Sequence, residues 1–343
     1  MLRRLRSVYA AEPAPEAAPE SPVEAGSLVS PTNTWATVRQ ASVVVLFVLQ
    51  LLSTELNVVT HTGLGINAAF ASNGPLCTCL QPATYAFSVW AAIYGTLVLY
   101  CAFQALPENR DAALVRGTGW LLSLCFIFLA VWAALASASP VPGNVGVVTA
   151  LFVLLTLAFR ASWLALVRVT KHEHVLRYID IACVALPISL LTAWLLIAAL
   201  LNLGILLLVS GVSTLTLTST GSQDLCVAGV TLIALFSALL WGFSRGNPYT
   251  AAVSVWGLIG IAVANGNAGR TATARTATVL AILLGSSAGV VIQFFQGPSL
   301  KWFGAASDKA ETQPLIGKDT EAASPQKSET AGWRARLRRW LHG

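Results

Sequence analysis

Long runs without charge constrain this chain more than any other feature. From Gln81 to Pro107 the sequence holds no Asp, Glu, Lys or Arg, and about 20 apolar residues are enough for a helix to cross roughly 30 Å of hydrocarbon. Over all 343 residues, 55% are hydrophobic and 10% are charged, whereas soluble globular chains are about 25% charged. The sequence therefore predicts an all-α integral membrane protein.

Eight apolar runs with few or no charged residues predict eight membrane-spanning helices. They lie near residues 39–59, 82–105, 117–138, 146–168, 179–209, 225–244, 249–266 and 277–296. The last run is the weakest, because it is rich in Ala, Gly and Ser. Its Gly285 and Gly289 form a G-x-x-x-G pattern that is compatible with close helix packing. Whether this eighth segment crosses the membrane stays open from the sequence.

The distribution of Lys and Arg predicts the orientation. Basic residues such as Arg110, Arg116 and Arg245 lie in alternate connectors, while the connectors near 60–81, 139–145 and 210–224 hold none. Because cytoplasmic loops carry the excess of Lys and Arg, both termini are predicted to be cytoplasmic. Arg270 and Arg275, between the last two spans, break this pattern.

Three of the six cysteines lie on the predicted non-cytoplasmic side. They are Cys77 and Cys79 in the first long loop and Cys226 at the start of the sixth span. A disulfide from Cys226 to either Cys77 or Cys79 fits this placement, and the sequence does not choose between them. A C-x-C pair alone is a weak metal signal, so we predict no metal site.

Both chain ends are polar. Residues 1–35 are rich in Pro, Ala and Glu and predict a disordered cytoplasmic tail. Residues 298–343 form a second cytoplasmic tail that ends in AGWRARLRRWLHG, which favours a basic amphipathic helix lying on an anionic leaflet. In this tail Glu311, Leu315 and Ile316 fit an acidic dileucine pattern. That pattern predicts a sorting adaptor as partner and an endolysosomal, vacuolar or other internal membrane as location.

Chemistry-bearing residues are scarce within the spans. Glu55, Arg160 and Asp180 are candidates because ionisable groups in lipid are costly, although Glu55 and Arg160 can also snorkel to water and Asp180 can pair with Arg177. No H-E-x-x-H, G-x-S-x-G or P-loop occurs. We therefore predict no enzyme activity and no cofactor. The net charge of +6 has no nucleic-acid-binding motif beside it, so no nucleic acid is predicted as a partner.

Aromatic and polar residues stand out on three of the spans. Trp90 and Tyr94 lie inside the second span, Trp120 and Trp132 lie in the third, and the fifth contains Pro187, Leu191, Trp194, Ala198 and Asn202 on one face. Such walls predict a cavity suited to a flat hydrophobic ligand. The alternative is a packed bundle that uses Trp as filler.

These residues carry a resemblance to a known family. The second span, P-A-T-Y-A-F-S-V-W-A-A-I-Y, resembles the proline-to-W-x-x-x-Y pattern of the translocator protein family, also called tryptophan-rich sensory proteins. The fifth span resembles that family's proline followed by W-x-x-x-A-x-x-x-N. YCAFQALPENR and NPYTAAVSVWGLIGIA are similar to a longer branch of the family, and the likeness covers about residues 40–266.

The resemblance implies a five-helix core, here 36–209, followed by two or three additional transmembrane helices within 210–297. It also implies a tetrapyrrole, sterol or drug-like ligand between the helices, with the loop after the first helix as a lid. The implied ligand-binding residues are Trp90, Tyr94, Trp132, Trp194, Ala198 and Asn202. Two positions depart from the pattern: Leu129 replaces a usual asparagine, and the first loop has no tryptophan.

Two other functions remain open from the sequence. In a secondary transporter, Glu55 and Arg160 would face a water path. In a non-catalytic membrane scaffold, the C-terminal tail would recruit sorting adaptors. A strip of small residues, Ser88, Ala92 and Gly95, would also let a second copy approach closely as a homodimer.

Overall fold

The computed structural model describes residues 34–59, 77–110, 112–138, 144–171, 178–212, 215 and 223–295. The chain divides into two compact units, Met1–Ser286 and Ser287–Gly343. Within the second unit, the described residues continue the last helix to Phe295. The predicted N-terminal tail, the C-terminal amphipathic helix and the dileucine pattern lie outside the described residues.

Eight helices are long and apolar enough to cross a membrane in the described ranges, and these ranges hold no β-strand. We number them α1 Thr34–Val59, α2 Val89–Ala105, α3 Ala113–Ala138, α4 Val145–Lys171, α5 Tyr178–Val209, α6 Asp224–Phe243, α7 Pro248–Asn267 and α8 Thr271–Phe295. A 3₁₀ turn, Thr84–Ser88, leads directly into α2.

The predicted spans are confirmed, with ends shifted by a few residues. Helix α8 begins at Thr271 rather than near 277. Its first turns contain Arg275 and four threonines, which lower the hydropathy but do not stop a helix from forming. By its length and composition, α8 therefore qualifies as a membrane-spanning helix.

Helix α5 lies at the centre of the packing. It contacts α2, α4, α6 and α7, while α3 packs between α1 and α4. From Leu191 to Ile197 every residue of α5 is buried. A helix that is apolar on all sides is stable at such a position because it meets protein all round. Helix α5 therefore joins the predicted five-helix core to α6 and α7.

Helix α5 begins irregularly, just before Pro187. Residues Ile181–Ala185 form a π-helical turn, and the regular α-helix starts at Leu186. Proline has no backbone N–H and its ring crowds the preceding turn, so a wider turn relieves the clash. Ser189 donates its hydroxyl to the Ala185 carbonyl at 2.6 Å. A proline within a helix predicts a kink, and the structure places the irregularity one turn before Pro187.

A short non-helical stretch, which we call the Cys79 segment (residues 77–83), lies against α5, α6 and α7. Asn265 of α7 donates to the Cys79 carbonyl at 2.7 Å, and the Ala83 amide donates to the Gly260 carbonyl at 2.9 Å. The Leu80 side chain packs where Gly204 and Gly229 leave room. These contacts satisfy peptide groups that would otherwise be buried without partners.

The disulfide left open by the sequence joins Cys79 to Cys226, with the two Cα atoms 5.9 Å apart. It connects the Cys79 segment to the first turn of α6. Cys77 is a buried free thiol, and burial raises its pKa. Because thiol–disulfide exchange requires a thiolate, Cys77 is a poor nucleophile toward the neighbouring bond at neutral pH.

The two arginines that break the charge pattern lie differently in the structure. Arg270 is 3% exposed and donates to Cys226 Sγ at 2.7 Å, so it is folded into the protein at the disulfide. Arg275 is exposed on α8, as is Arg160 on α4. The exposure of Arg160 favours the snorkelling interpretation over a cavity-lining position. Arg177, the predicted partner of Asp180, lies outside the described residues.

Of the small residues predicted to allow close helix packing, Gly285 lies at a helix contact, whereas the strip on α2 does not. Gly285 lies at ordinary van der Waals distance from Val255 of α7, since a Cβ added there would be 3.7 Å from Val255 Cγ2. Ser88, Ala92 and Gly95 form an exposed face. Pairing with a second copy through this face stays a prediction.

The first prediction concerns the disulfide. Replacing Cys226 with Ala removes a link between residues 147 positions apart and should lower the free energy of unfolding by about 2–4 kcal/mol. Thermal unfolding in detergent measures the change. Cys77→Ala is the matched control and should leave the Cys79–Cys226 peptide intact in non-reducing mass spectrometry. A Cys77–Cys226 peptide in the native protein would contradict the assignment.

The second prediction compares two glycines on α7. A Cβ at Gly260 would lie 2.7 Å from Ala86 Cβ and 2.8 Å from Pro82 Cβ, whereas Gly266 has no such neighbour within 4 Å. Gly260→Ala should therefore destabilise the protein by about 1–3 kcal/mol. Gly266→Ala should be neutral or stabilising, because alanine favours helix. Equal unfolding temperatures for the two variants would refute this close packing.

Candidate functional site

Three of the predicted ligand-wall residues contact one another. Trp90 and Tyr94, one turn apart on α2, are stacked with ring centroids 5.2 Å apart and an interplanar angle of 27°. Trp90 also meets Trp194 of α5 edge to face, with centroids 6.4 Å apart at 83°. Trp194 is 1% exposed, whereas Trp90 and Tyr94 are partly buried. The two helices thus share one aromatic wall.

Further rings extend this wall on both sides. Phe87, in the 3₁₀ turn, meets Trp194 edge to face at 5.7 Å. On α1, Phe47 lies 6.2 Å from Tyr94 and 5.4 Å from Phe126 of α3. We call the set the aromatic cluster: Phe47, Phe87, Trp90, Tyr94, Phe126 and Trp194. Tilted and edge-on pairs are the favoured geometries, because the positive edge of one ring meets the negative face of another.

A glutamine on α1 adds a polar group to the aromatic cluster. Gln50 is 3% exposed, and its Nε2 donates to the Tyr94 hydroxyl at 3.0 Å and to Thr54 Oγ1 at 3.2 Å. Its Oε1 is enclosed and has no hydrogen-bond partner among the described residues. A buried acceptor without a partner is costly, so this oxygen is a place where a donor on a ligand would be stabilised.

The other three predicted residues lie near this wall in different roles. Ala198 is partly buried, one turn after Trp194 on α5. Asn202 is 5% exposed, and its amide donates to the Ala198 carbonyl at 3.1 Å. An amide in apolar surroundings needs a partner, and Asn202 finds one for at least one donor on its own helix. Trp132 of α3 has a buried Nε1 with no partner in the described part of the chain.

The register of α1 against α3 shows what lies near Leu129, which replaces the asparagine implied by the resemblance. The Ser42 and Ser123 hydroxyls are 3.0 Å apart, and Phe47 contacts Phe126, so the two helices run in the same direction. Gln50 is then level with residues 129–131, where Leu129 is itself buried. The amide that the resemblance expects on α3 is absent, but an amide at the same level comes from α1.

A second concave feature lies outside the aromatic cluster. It is an open apolar groove of about 450 Å³ between α7 and α8, lined by Val255, Ile259, Ala262, Val263, Thr278, Ala281 and Ile282. In a bilayer acyl chains fill such a groove. The described residues contain no cluster of three or more His, Cys, Asp or Glu that could hold a metal ion.

A comparison with protein-family models matches residues 37–290 to the TSPO-like protein family. The chain belongs to this family. The match covers most of the chain and is consistent with a helical membrane bundle. The eight spans fit a longer branch of the family. The comparisons with curated proteins and with solved structures found no match.

The match corrects the extent of the resemblance. The sequence motifs placed the family likeness at about 40–266, with the eighth span outside it. The TSPO-like match runs to residue 290 and so includes most of α8. The motifs ended early because α8 carries none of the tryptophan patterns that marked the second and fifth spans. The roles of the six predicted residues as ligand contacts stay predictions.

Several residues of the site were missed at the level of sequence, among them Gln50, Phe47 and Phe126. Gln50 is a single amide within the apolar run from Val43 to Leu52, which is a usable signal, since a polar group in a span needs a partner. Phe47 gave no signal, because a phenylalanine in a span is ordinary. Only the packing of α1 against α2 and α3 reveals its contact with Tyr94.

The third prediction isolates the Gln50–Tyr94 hydrogen bond. Tyr94→Phe removes the hydroxyl that accepts from Gln50 Nε2 and should lower the free energy of unfolding by about 1 kcal/mol. Tyr85→Phe is the matched control, since that ring is 42% exposed and contacts Trp256 edge to face. Unfolding temperatures in one detergent give the measurement. Equal effects of both substitutions would contradict a structural role for the hydroxyl.

Proposed function

We propose that this TSPO-like protein binds a planar hydrophobic molecule between its helices and acts as a sensor or carrier without chemical turnover. The class we favour is a tetrapyrrole, a sterol or a related lipid that carries an N–H or O–H group. The single observation that supports this most is the aromatic cluster, which joins α1, α2, α3 and α5 through ring contacts.

The orientation of the rings supports a flat ligand. Trp90 and Tyr94 are close to parallel, so together they offer one extended aromatic face on α2. A planar molecule gains most from such a face when it stacks against it. Trp194 is almost fully buried and serves as the fixed wall behind Trp90.

Two enclosed polar atoms support a ligand that is not purely hydrocarbon. Gln50 Oε1 can accept a hydrogen bond and Trp132 Nε1 can donate one, but neither atom has a partner among the described residues. Both residues lie in the C-terminal halves of their helices, α1 and α3, which run in the same direction. A sterol hydroxyl can satisfy either atom, and a carboxyl group on a porphyrin can accept a hydrogen bond from Trp132 Nε1.

Rings already occupy the space beside Trp194 in the structure. Binding therefore requires one ring to move, and Trp90 is the candidate because it is only partly buried. Ring rotation at a partly buried position costs less than opening a packed core. Ligand binding should then change the environment of Trp90 more than that of Trp194.

We also propose that the end of the bundle holding Cys79 and Cys226 faces a non-cytoplasmic, oxidising compartment. Disulfides persist in such compartments, and the bond lies at the end opposite Arg39 and Arg110. Both termini would then be cytoplasmic, in an endolysosomal, vacuolar or other internal membrane. Adaptor binding at Glu311, Leu315 and Ile316 and pairing of two copies remain proposals of the same kind.

The fourth prediction tests the aromatic wall. Trp90→Leu should weaken binding of protoporphyrin IX and of a fluorescent sterol about tenfold, equal to about 1.4 kcal/mol, because the stacking face is lost. Titration of the purified protein in detergent, followed by tryptophan quenching or energy transfer, measures this. Trp120→Leu is the matched control, since Trp120 is 43% exposed on α3. Unchanged affinity in Trp90→Leu would contradict the proposed pocket.

Gln50→Leu tests the polar contact in the same titration. It should weaken binding of a fluorescent sterol that keeps its free hydroxyl but not of the same sterol methylated at that oxygen, which has no hydrogen to donate to Gln50 Oε1. Equal losses for both sterols would mean that Gln50 acts by packing alone.

A further inference from the structure

Arginines from different helices converge on the start of α3. The Arg39 stem of α1 lies against Gly119, where an added Cβ would be 2.8 Å from Arg39 Cδ. Its Nη2 donates to the backbone carbonyl of Arg110, which follows α2. Arg168, from the last turn of α4, donates to the Gly117 carbonyl at 2.5 Å. We call this region the arginine end.

Several atoms of the arginine end, from Arg39, Gln104 and Arg110, are enclosed without a hydrogen-bond partner in the described part of the chain. Arg39 is 4% exposed, and its Nε is enclosed with no partner among the described residues. The Nε of Arg110 is in the same state. Gln104 is fully buried, and neither atom of its amide group has a partner in the described part of the chain. Such groups are stable only when a further partner is supplied.

The backbone holds these groups close together. Gln40, next to Arg39, donates its amide to the Gln104 carbonyl, and Asn109 donates to the Phe103 carbonyl at 3.1 Å. These contacts hold the backbone of residues 104 and 110 beside Arg39 and Gln40 on α1. The unpartnered donors belong to a built arrangement and not to flexible surface side chains.

The first turn of α3 adds a favourable field. The Arg116 amide bonds back to the Ala112 carbonyl, so the amides of residues 113–115 lie ahead of the hydrogen-bond ladder. No acidic residue occupies this turn. The positive end of a 26-residue helix therefore points at the same end as Arg39 and Arg110, where an anion is stabilised.

We propose that the arginine end binds a phosphate group. The guanidinium groups of Arg39 and Arg110 supply the charge, since planar guanidinium donors match phosphate oxygens. The Gln104 amide donates one further hydrogen bond. Its Oε1 accepts from a hydroxyl, either on a singly protonated phosphate or on the group that the phosphate esterifies.

The depth of the site fits the headgroup of an anionic lipid. Helix α1 has 26 residues and is therefore about 39 Å long, longer than the roughly 30 Å of hydrocarbon. Arg39 lies in the second turn of α1, close to the level of the lipid phosphates. A soluble phosphate monoester has the same chemistry, and the experiment below separates the two sources.

The fifth prediction tests the site with full-length protein, stripped of lipid in a neutral detergent. Native mass spectrometry and thermal shift are recorded with phosphatidic acid, phosphatidylcholine, inorganic phosphate and glycerol 3-phosphate at constant ionic strength. We expect one phosphatidic acid to bind and to raise the unfolding temperature, with phosphatidylcholine much weaker. Saturable binding of the soluble phosphates instead would assign the site to a free ester. Binding of none of these probes overturns the proposal.

Substitutions decide whether the binding is local. Arg39→Gln should weaken phosphate binding at least tenfold, and Arg39→Lys should give an intermediate loss because charge is kept without the planar fork. Arg110→Gln keeps the carbonyl that Arg39 contacts and serves as the second variant if Arg39→Gln does not fold. The matched control is Arg245→Gln, an exposed arginine with the same change of charge. Equal losses in Arg39→Gln and Arg245→Gln would overturn the proposal in favour of general surface attraction.

Discussion

The docking of the Cys79 segment on α5, α6 and α7 is the contact on which much of the arrangement depends. A non-helical backbone among apolar helices must have its peptide groups satisfied. Asn265 and Gly260 of α7 supply that satisfaction, and Trp256 donates to the Ala86 carbonyl at 2.9 Å. The segment leads straight into α2, so these contacts set where α2 begins. The position of Trp90 beside Trp194 follows from there.

The helices of this fold could be predicted from the sequence, but their irregularities and the disulfide pairing could not. Long apolar runs with few or no charges predicted all eight helices, because the cost of a charge in lipid leaves a long and simple pattern. The π-helical turn before Pro187 was predicted only as a kink. Nothing in the sequence showed that Cys79 rather than Cys77 pairs with Cys226. The two cysteines lie two residues apart in one loop, and only the path of the backbone decides which of them reaches Cys226.

The candidate site was predictable on two helices and hidden on the others. Trp90, Tyr94 and Trp194 were found because large aromatic residues at helical spacing stand out within a span. Gln50 and Arg39 were missed because each is a single polar residue near or inside an apolar run. Their importance comes from neighbours that lie 44 and 71 positions away in sequence. Only the packed bundle brings such partners together.

The bond between Cys79 and Cys226 also bears on how the protein is made. Residues 79–226 contain α2, α3, α4 and α5, so the bond closes a covalent ring around four membrane-spanning helices. The ring cannot close until α6 has begun to enter the bilayer and Cys226 has reached the same side as Cys79. Helices α2 to α5 are therefore linked covalently only after their own synthesis is complete. A chain shortened after α5 would contain these helices without the disulfide, so α6 contributes to their assembly.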